Sequence, residues 1–182
     1  MSKVYPTITA FVPPGIAPRS LASSEDGWEL LSKCDRLLRE CDSDLHPIGS
    51  QSWGGWTAMV MRNISAALGL RALQFLSYEP WKDPNGFCAF LIQGNDLPEI
   101  VREIDLVFKH AELRPGDFAP WMFDWDGDSI TASIAASVVS VSPVVDDGTN
   151  PQSLFSYLKT LAHYCTVASE RGGAILYLQW DS

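Results

Sequence analysis

The sequence predicts an α+β fold, a single domain in which a largely antiparallel sheet packs with three to four helices. Three observations lead there. Strand-length apolar runs sit in neighbouring pairs more often than they alternate with helical stripes, which argues against a parallel strand–helix–strand design. Of 182 residues, 46% are apolar and 19% charged, a globular composition. The length is that of one domain, typically about 100–200 residues.

Residues 4–12 alternate well enough for a first strand, and Pro13-Pro14-Gly15 stops it. A helix is expected from Ser23 or Ser24, with Ser23 and Asp26 as a capping box. Trp28, Leu31, Cys34, Leu38 and Cys41 would form its apolar face. Residues 43–57 read as loop, including the tight Gly-rich turn Trp53-Gly54-Gly55-Trp56 with two packed indoles. A short helix over Thr57–Leu70 should end at Gly69. Leu73–Tyr78 and Phe87–Gln93 read as an antiparallel pair joined by the turn-rich segment 79–86.

Asp96 is the expected cap of the next helix, with Glu99 completing the box and Pro98 in the first turn. Leu97, Ile100, Val101, Ile104, Phe108 and Ala111 form its stripe, and Asp105 and Lys109 suit an i,i+4 ion pair. Residues 117–125 and 129–145 read as two strands around an Asp126-Gly127 hairpin turn. Asn150 and Pro151 suit the start of a last helix, Gly172-Gly173 its end, and Ala174–Trp180 a strand central in the sheet.

Several functions are disfavoured. Thirteen basic residues against 22 acidic ones give a net charge of -9, which opposes binding to nucleic-acid phosphates or an anionic membrane. No run approaches the roughly 20 apolar residues of a membrane span, and the first twelve residues make a poor signal peptide, so a cytoplasmic location is expected. The four cysteines form no C-x-x-C and read as buried small hydrophobes. The three histidines, His46, His110 and His163, match no zinc-binding spacing.

Nucleophile-elbow and phosphate-cradling motifs are absent, so no catalytic residue, metal or cofactor is assigned. Asp124-Trp125-Asp126-Gly127-Asp128 looks like part of a calcium loop. Its Gly is misplaced, however, and Ala135 occupies the position that needs a bidentate carboxylate.

Charge distribution is the informative feature. Residues 92–182 hold 5 of the basic and 13 of the acidic residues. No positive residue lies between Arg114 and Lys159, a stretch carrying Asp117, Asp124, Asp126, Asp128, Asp146 and Asp147 beside Trp121 and Trp125. Acidic groups speed encounter with a basic protein and reject wrong partners, and Trp can anchor the contact. These eight residues are therefore the candidate partner-binding set. The competing reading is a solvated acidic face with its Trp residues in the core.

The chain resembles, loosely, the immunity protein 52 family of bacterial toxin systems. The resemblance rests on Gly55-Trp56 following a capped helix, the apolar strand Phe87–Gln93, the helix from Leu97, and the closing strand ending at Trp180. It implies a non-enzymatic inhibitor of a nuclease-like toxin delivered by a secretion system such as type VI. It supplies no interface residues. Two other readings stand beside it. One is an enzyme or small-molecule binder assembled only in three dimensions, from Cys88, His163 and carboxylates. The other is a phage or secretion accessory adaptor.

Overall fold

A computed structural model describes residues 4–21, 23–78, 86–120, 125–140 and 151–180. The fold is α+β. Strand β1 (Val4–Val12) is followed by helix α1 (Ser24–Glu40), β2 (Ile48–Gly54), α2 (Gly55–Leu68), β3 (Phe87–Gln93), α3 (Asp96–Leu113), α4 (Gly127–Ala136), α5 (Pro151–Arg171) and β4 (Ala174–Trp180). Short 3₁₀ turns at Gln74–Ser77 and Pro115–Asp117 link α2 to β3 and α3 to α4. No described helix is long and apolar enough to cross a membrane.

The strands form one antiparallel sheet in the order β2-β1-β4-β3. As the sequence predicts, Ala174–Trp180 is central. It pairs with β1 from Thr7↔Gln179 to Val12↔Ala174 and with β3 from Phe87↔Trp180 to Gln93↔Ala174. Residues on β4 alternate between the two faces. Ala174, Leu176 and Leu178 pack with Leu30, Leu31 and Cys34 of α1, while Ile175 and Tyr177 join the larger core beneath α2, α3 and α5. The sheet thus lies between the first part of α1 and the other helices, while Leu38, near the end of α1, joins the larger core.

Two glycines let the layers meet. A Cβ on Gly27 of α1 would lie 3.0 Å from Leu178 Cδ2, and one on Gly173 would lie 2.6 Å from the Val12 carbonyl oxygen. The β1–β2 register shifts between Tyr5 and Thr7, where Pro6 has no N–H to give the ladder.

Caps fix the helix starts. The Ser23 hydroxyl accepts the Asp26 N–H at 3.3 Å, as predicted for α1. Gly69, at φ +67°, follows the end of α2 as predicted. Asp96, however, is the first helical residue of α3 and not its cap; Asn95 takes that place without a side-chain bond. Among the described residues Asp105 and Lys109 form no ion pair, whereas Glu99 pairs with Arg102.

Three sequence expectations fail for identifiable reasons. Residues 48–54, read as loop, form edge strand β2. Pairing of its backbone with β1 needs no apolar alternation, which Gly49, Ser50, Gln51 and Ser52 do not offer. The expected strand Leu73–Tyr78 is the 3₁₀ turn Gln74–Ser77, with Leu73 and Leu76 buried at a three-residue spacing; β3 pairs with β4 instead.

The expected hairpin at Asp126-Gly127 is the start of α4, with Ile130, Ser133 and Ile134 buried at helical spacing. The polar, β-branched run that follows resembles a strand, but its amide groups bond to a helix. Val138 and Ser140 donate N–H to Ser156 Oγ at 3.2 Å and Thr160 Oγ1 at 2.8 Å on α5. Residues 79–85, 121–124 and 141–150 lie outside the described residues, as do Asn150 and the side chains of Trp53 and Trp56.

Candidate functional site

Of the eight candidate residues, Asp117, Trp125, Asp126 and Asp128 are described; Trp121, Asp124, Asp146 and Asp147 lie outside the described residues. The fold brings the three described carboxylates to one place. Helix α3 ends at Leu113, and Pro115 starts the 3₁₀ turn that carries Asp117. Gly127, at the start of α4, packs on that turn; a Cβ there would stand 3.6 Å from the Gly116 nitrogen and 3.7 Å from Pro115 Cγ. Asp126 and Asp128 flank this contact in sequence and, like Asp117, are exposed.

Each carboxylate has a distinct setting. Asp117 Oδ2 lies 3.0 Å from His110 Nε2 across one end of α3, and the His110 ring packs against the buried Phe118. Asp126 is the N-cap of α4, accepting the Ser129 N–H at 2.7 Å. That bond holds its carboxyl below the ordinary range. Asp128 sits in the first turn of α4, where the helix dipole favours negative charge.

Trp125 is different: its indole is buried in the same core as Phe118, Ile130 and Ile134. It fastens the segment to the core and is not part of the exposed acidic surface, so for this residue the competing reading holds.

An apolar group completes the surface. Leu113, just before the turn, is 72% exposed, and Val138 and Val139 beyond α4 are exposed as well. Composition gave no reason to single out Leu113, because its exposure follows from the helix ending there. Two cations lie close in sequence or space: Arg114 is exposed between Leu113 and the turn, and Lys159 of α5 is turned to other work. Its ammonium donates to the Ser137 carbonyl at 2.9 Å and lies 5.5 Å from the Phe108 ring centroid.

Of the residues suggested for a composite enzyme site, His163 shares a cleft with Asp42 and Asp44, but Cys88 does not reach it. Cys88 is buried on β3, with its thiol 3.7 Å from Gln179 Oε1, whereas His163 faces a cleft beside α1. Burial pushes the Cys34 thiol up to about 11 and the Cys165 thiol up to about 12, so both are protonated and poor nucleophiles at neutral pH. Cys41 is exposed, contrary to the expectation of four buried thiols. No group of three or more His, Cys, Asp or Glu among the described residues could hold a metal ion.

No protein-family model, curated protein or solved structure matches this chain.

Proposed function

We propose that this chain is an immunity protein that binds a cognate basic toxin, nuclease-like in character, and neutralises it by direct protein–protein contact without cofactor or catalysis. The observation that carries this reading is the gathering of Asp117, Asp126 and Asp128 where the 115–117 turn meets α4, beside the exposed Leu113. Carboxylates grouped on a chain of net charge -9 attract a cationic cleft and orient it during encounter. Leu113 offers an apolar group that a partner can desolvate.

The test must spare Asp126, since Lys there would remove the α4 cap along with the charge. Wild type and an Asp117→Lys/Asp128→Lys variant are used for affinity capture at low and moderate salt. Co-expression with the captured protein then measures rescue. The expected result is one basic partner, toxic alone and harmless with this chain, bound about tenfold or more weakly by the variant. Equal capture by the variant overturns the site. A captured partner that is not toxic, or whose toxicity this chain leaves unrelieved, overturns the function and favours an adaptor role.

A further inference from the structure

A cleft of about 630 Å³ opens on a different part of the molecule, between the C-terminal ends of α1 and α5 where β1 gives way to Pro13-Pro14. Small-molecule sites typically enclose about 300–1,000 Å³, with apolar walls and a few converging polar groups. Phe11, Leu38 and Leu45, all core residues, supply apolar wall here. Asp42 and Asp44 approach from the turn after α1, and His163 and Arg171 from α5.

Hydrogen bonds fix the backbone of the turn that carries Asp42 and Asp44. Ser43 donates its N–H to the Leu38 carbonyl at 3.0 Å, and its hydroxyl accepts the Leu45 N–H at 3.3 Å. Tyr164 of α5 donates its hydroxyl to the His46 carbonyl at 2.8 Å, fastening the turn across the cleft. Asp42 is the one described residue other than Gly with positive φ, +49°. Glycine would hold that left-handed position with less strain; what Asp adds is a carboxylate on the cleft wall.

Opposite charges line this cleft without joining. Among the described residues the ion pairs are Arg39–Asp35, Arg102 with Glu99 and Glu103, and His110–Asp117. Among the described residues Asp42, Asp44 and Arg171 have no ion-pair partner within 4.0 Å. A cleft with separated anionic and cationic groups and an apolar wall complements a molecule carrying both charges on an apolar body.

We propose that this cleft binds a small zwitterion with apolar side chains, of the class of an apolar dipeptide. Its ammonium meets Asp42 and Asp44, its carboxylate meets Arg171, and its side chains cover Leu37 and Val167, which line the cleft and are only partly buried. The site is separate from the acidic surface: Phe118, next to Asp117, packs on Phe155 of α5, and Arg171 lies about 24 Å further along the same helix.

The test titrates the full chain with L-leucyl-L-phenylalanine by calorimetry and by NMR. Phenethylamine and 3-phenylpropionate serve as single-charge controls. The expected result is saturable dipeptide binding that perturbs His163 and Val167, with each control about tenfold or more weaker. Asp44→Asn and Arg171→Gln should each weaken the dipeptide by about tenfold, whereas the distant Asp117→Asn should not change it. Unaltered thermal unfolding checks that the variants fold, and Val167→Trp, which fills the cleft, should abolish binding independently. No binding, binding that leaves His163 and Val167 unperturbed, equal binding of a single-charge control, or full affinity in the folded variants overturns the proposal.

Discussion

The carboxylate of Glu103 accepts the backbone N–H of Leu73 at 3.0 Å, bridging 30 positions in sequence. Its other oxygen accepts the Arg71 N–H at 2.8 Å, and the side chain is 2% exposed. One acidic residue on the packed face of α3 thus satisfies two amides of the segment leading into the 3₁₀ turn at Gln74. Replacing Glu103 with Gln puts an NH₂ against one of those amides and should cost about 1–3 kcal/mol. Glu103→Leu removes both acceptors and should cost about 2–4 kcal/mol. Denaturant midpoints at constant slope check both values. A leucine variant as stable as wild type would show that neither bond matters.

Gly173 should tolerate no side chain. A Cβ there meets the Val12 carbonyl oxygen at 2.6 Å, so β1 or β4 must move. Gly173→Ala is expected to cost about 2–4 kcal/mol, whereas Gly27→Ala, which meets only the tip of Leu178, should cost about 1 kcal/mol. Thermal unfolding of the two variants side by side gives the comparison.

Two buried tyrosine hydroxyls should respond in opposite ways. Tyr157 Oη bonds Thr9 Oγ1 at 2.8 Å, while Tyr177 Oη has no hydrogen-bond partner among the described residues. Tyr157→Phe should lose about 1–2 kcal/mol and strand the threonine hydroxyl. Tyr177→Phe should be neutral or stabilising by up to about 1 kcal/mol, because it removes a polar atom that was desolvated without compensation. Equal losses at the two sites would contradict this account.

Asp126 should make α4 sensitive to acid. Its folded carboxyl titrates below the ordinary 3.8, so its contribution is complete at neutral pH and disappears as pH falls through the lowered value. Asp126→Asn keeps a capping acceptor but removes the titration. The stability advantage of wild type over this variant should be constant from about pH 7 to 5 and shrink below about pH 4. An advantage that grows on acidification would reverse the sign.

Thiol chemistry should single out Cys41. Cys34, Cys88 and Cys165 are buried, and two of them have raised thiol values. Ellman's reagent should modify one thiol rapidly in the folded chain and the other three only on unfolding. A Cys41→Ser variant should lose the rapid phase.

Periodic burial made the amphipathic elements readable. Leu97, Ile100, Ile104 and Ala111 mark one face of α3, and the near-continuous apolar run Ala174–Trp180 reflects a strand covered on both faces. Glu103 was hidden because an acidic residue inside an apolar stripe looks like a break in it, and the amides it serves lie in another part of the chain.

Residues 127–136 misled for a related reason. Ser, Thr and Ile suit strands, and the helix is decided by the Asp126 cap and by docking on α5. At the candidate site, the clustering of acidic residues was visible. The burial of Trp125 and the exposure of Leu113 were not, since both depend on where α3 ends and α4 packs. The charged cleft was invisible because its walls come from residues 11–14, 37–45 and 163–171.

The pairing of β1 with β4 also sets a timetable for synthesis. The strand made first lies beside the strand made after α5, so the middle of the sheet cannot zip up until almost all of this stretch has left the ribosome. Until then Ile8, Ala10, Phe11 and Val12 have lost neither their appetite for a neighbouring strand nor their apolar surface. A nascent chain halted before residue 174 should therefore depend on chaperones, and one released after residue 180 should not.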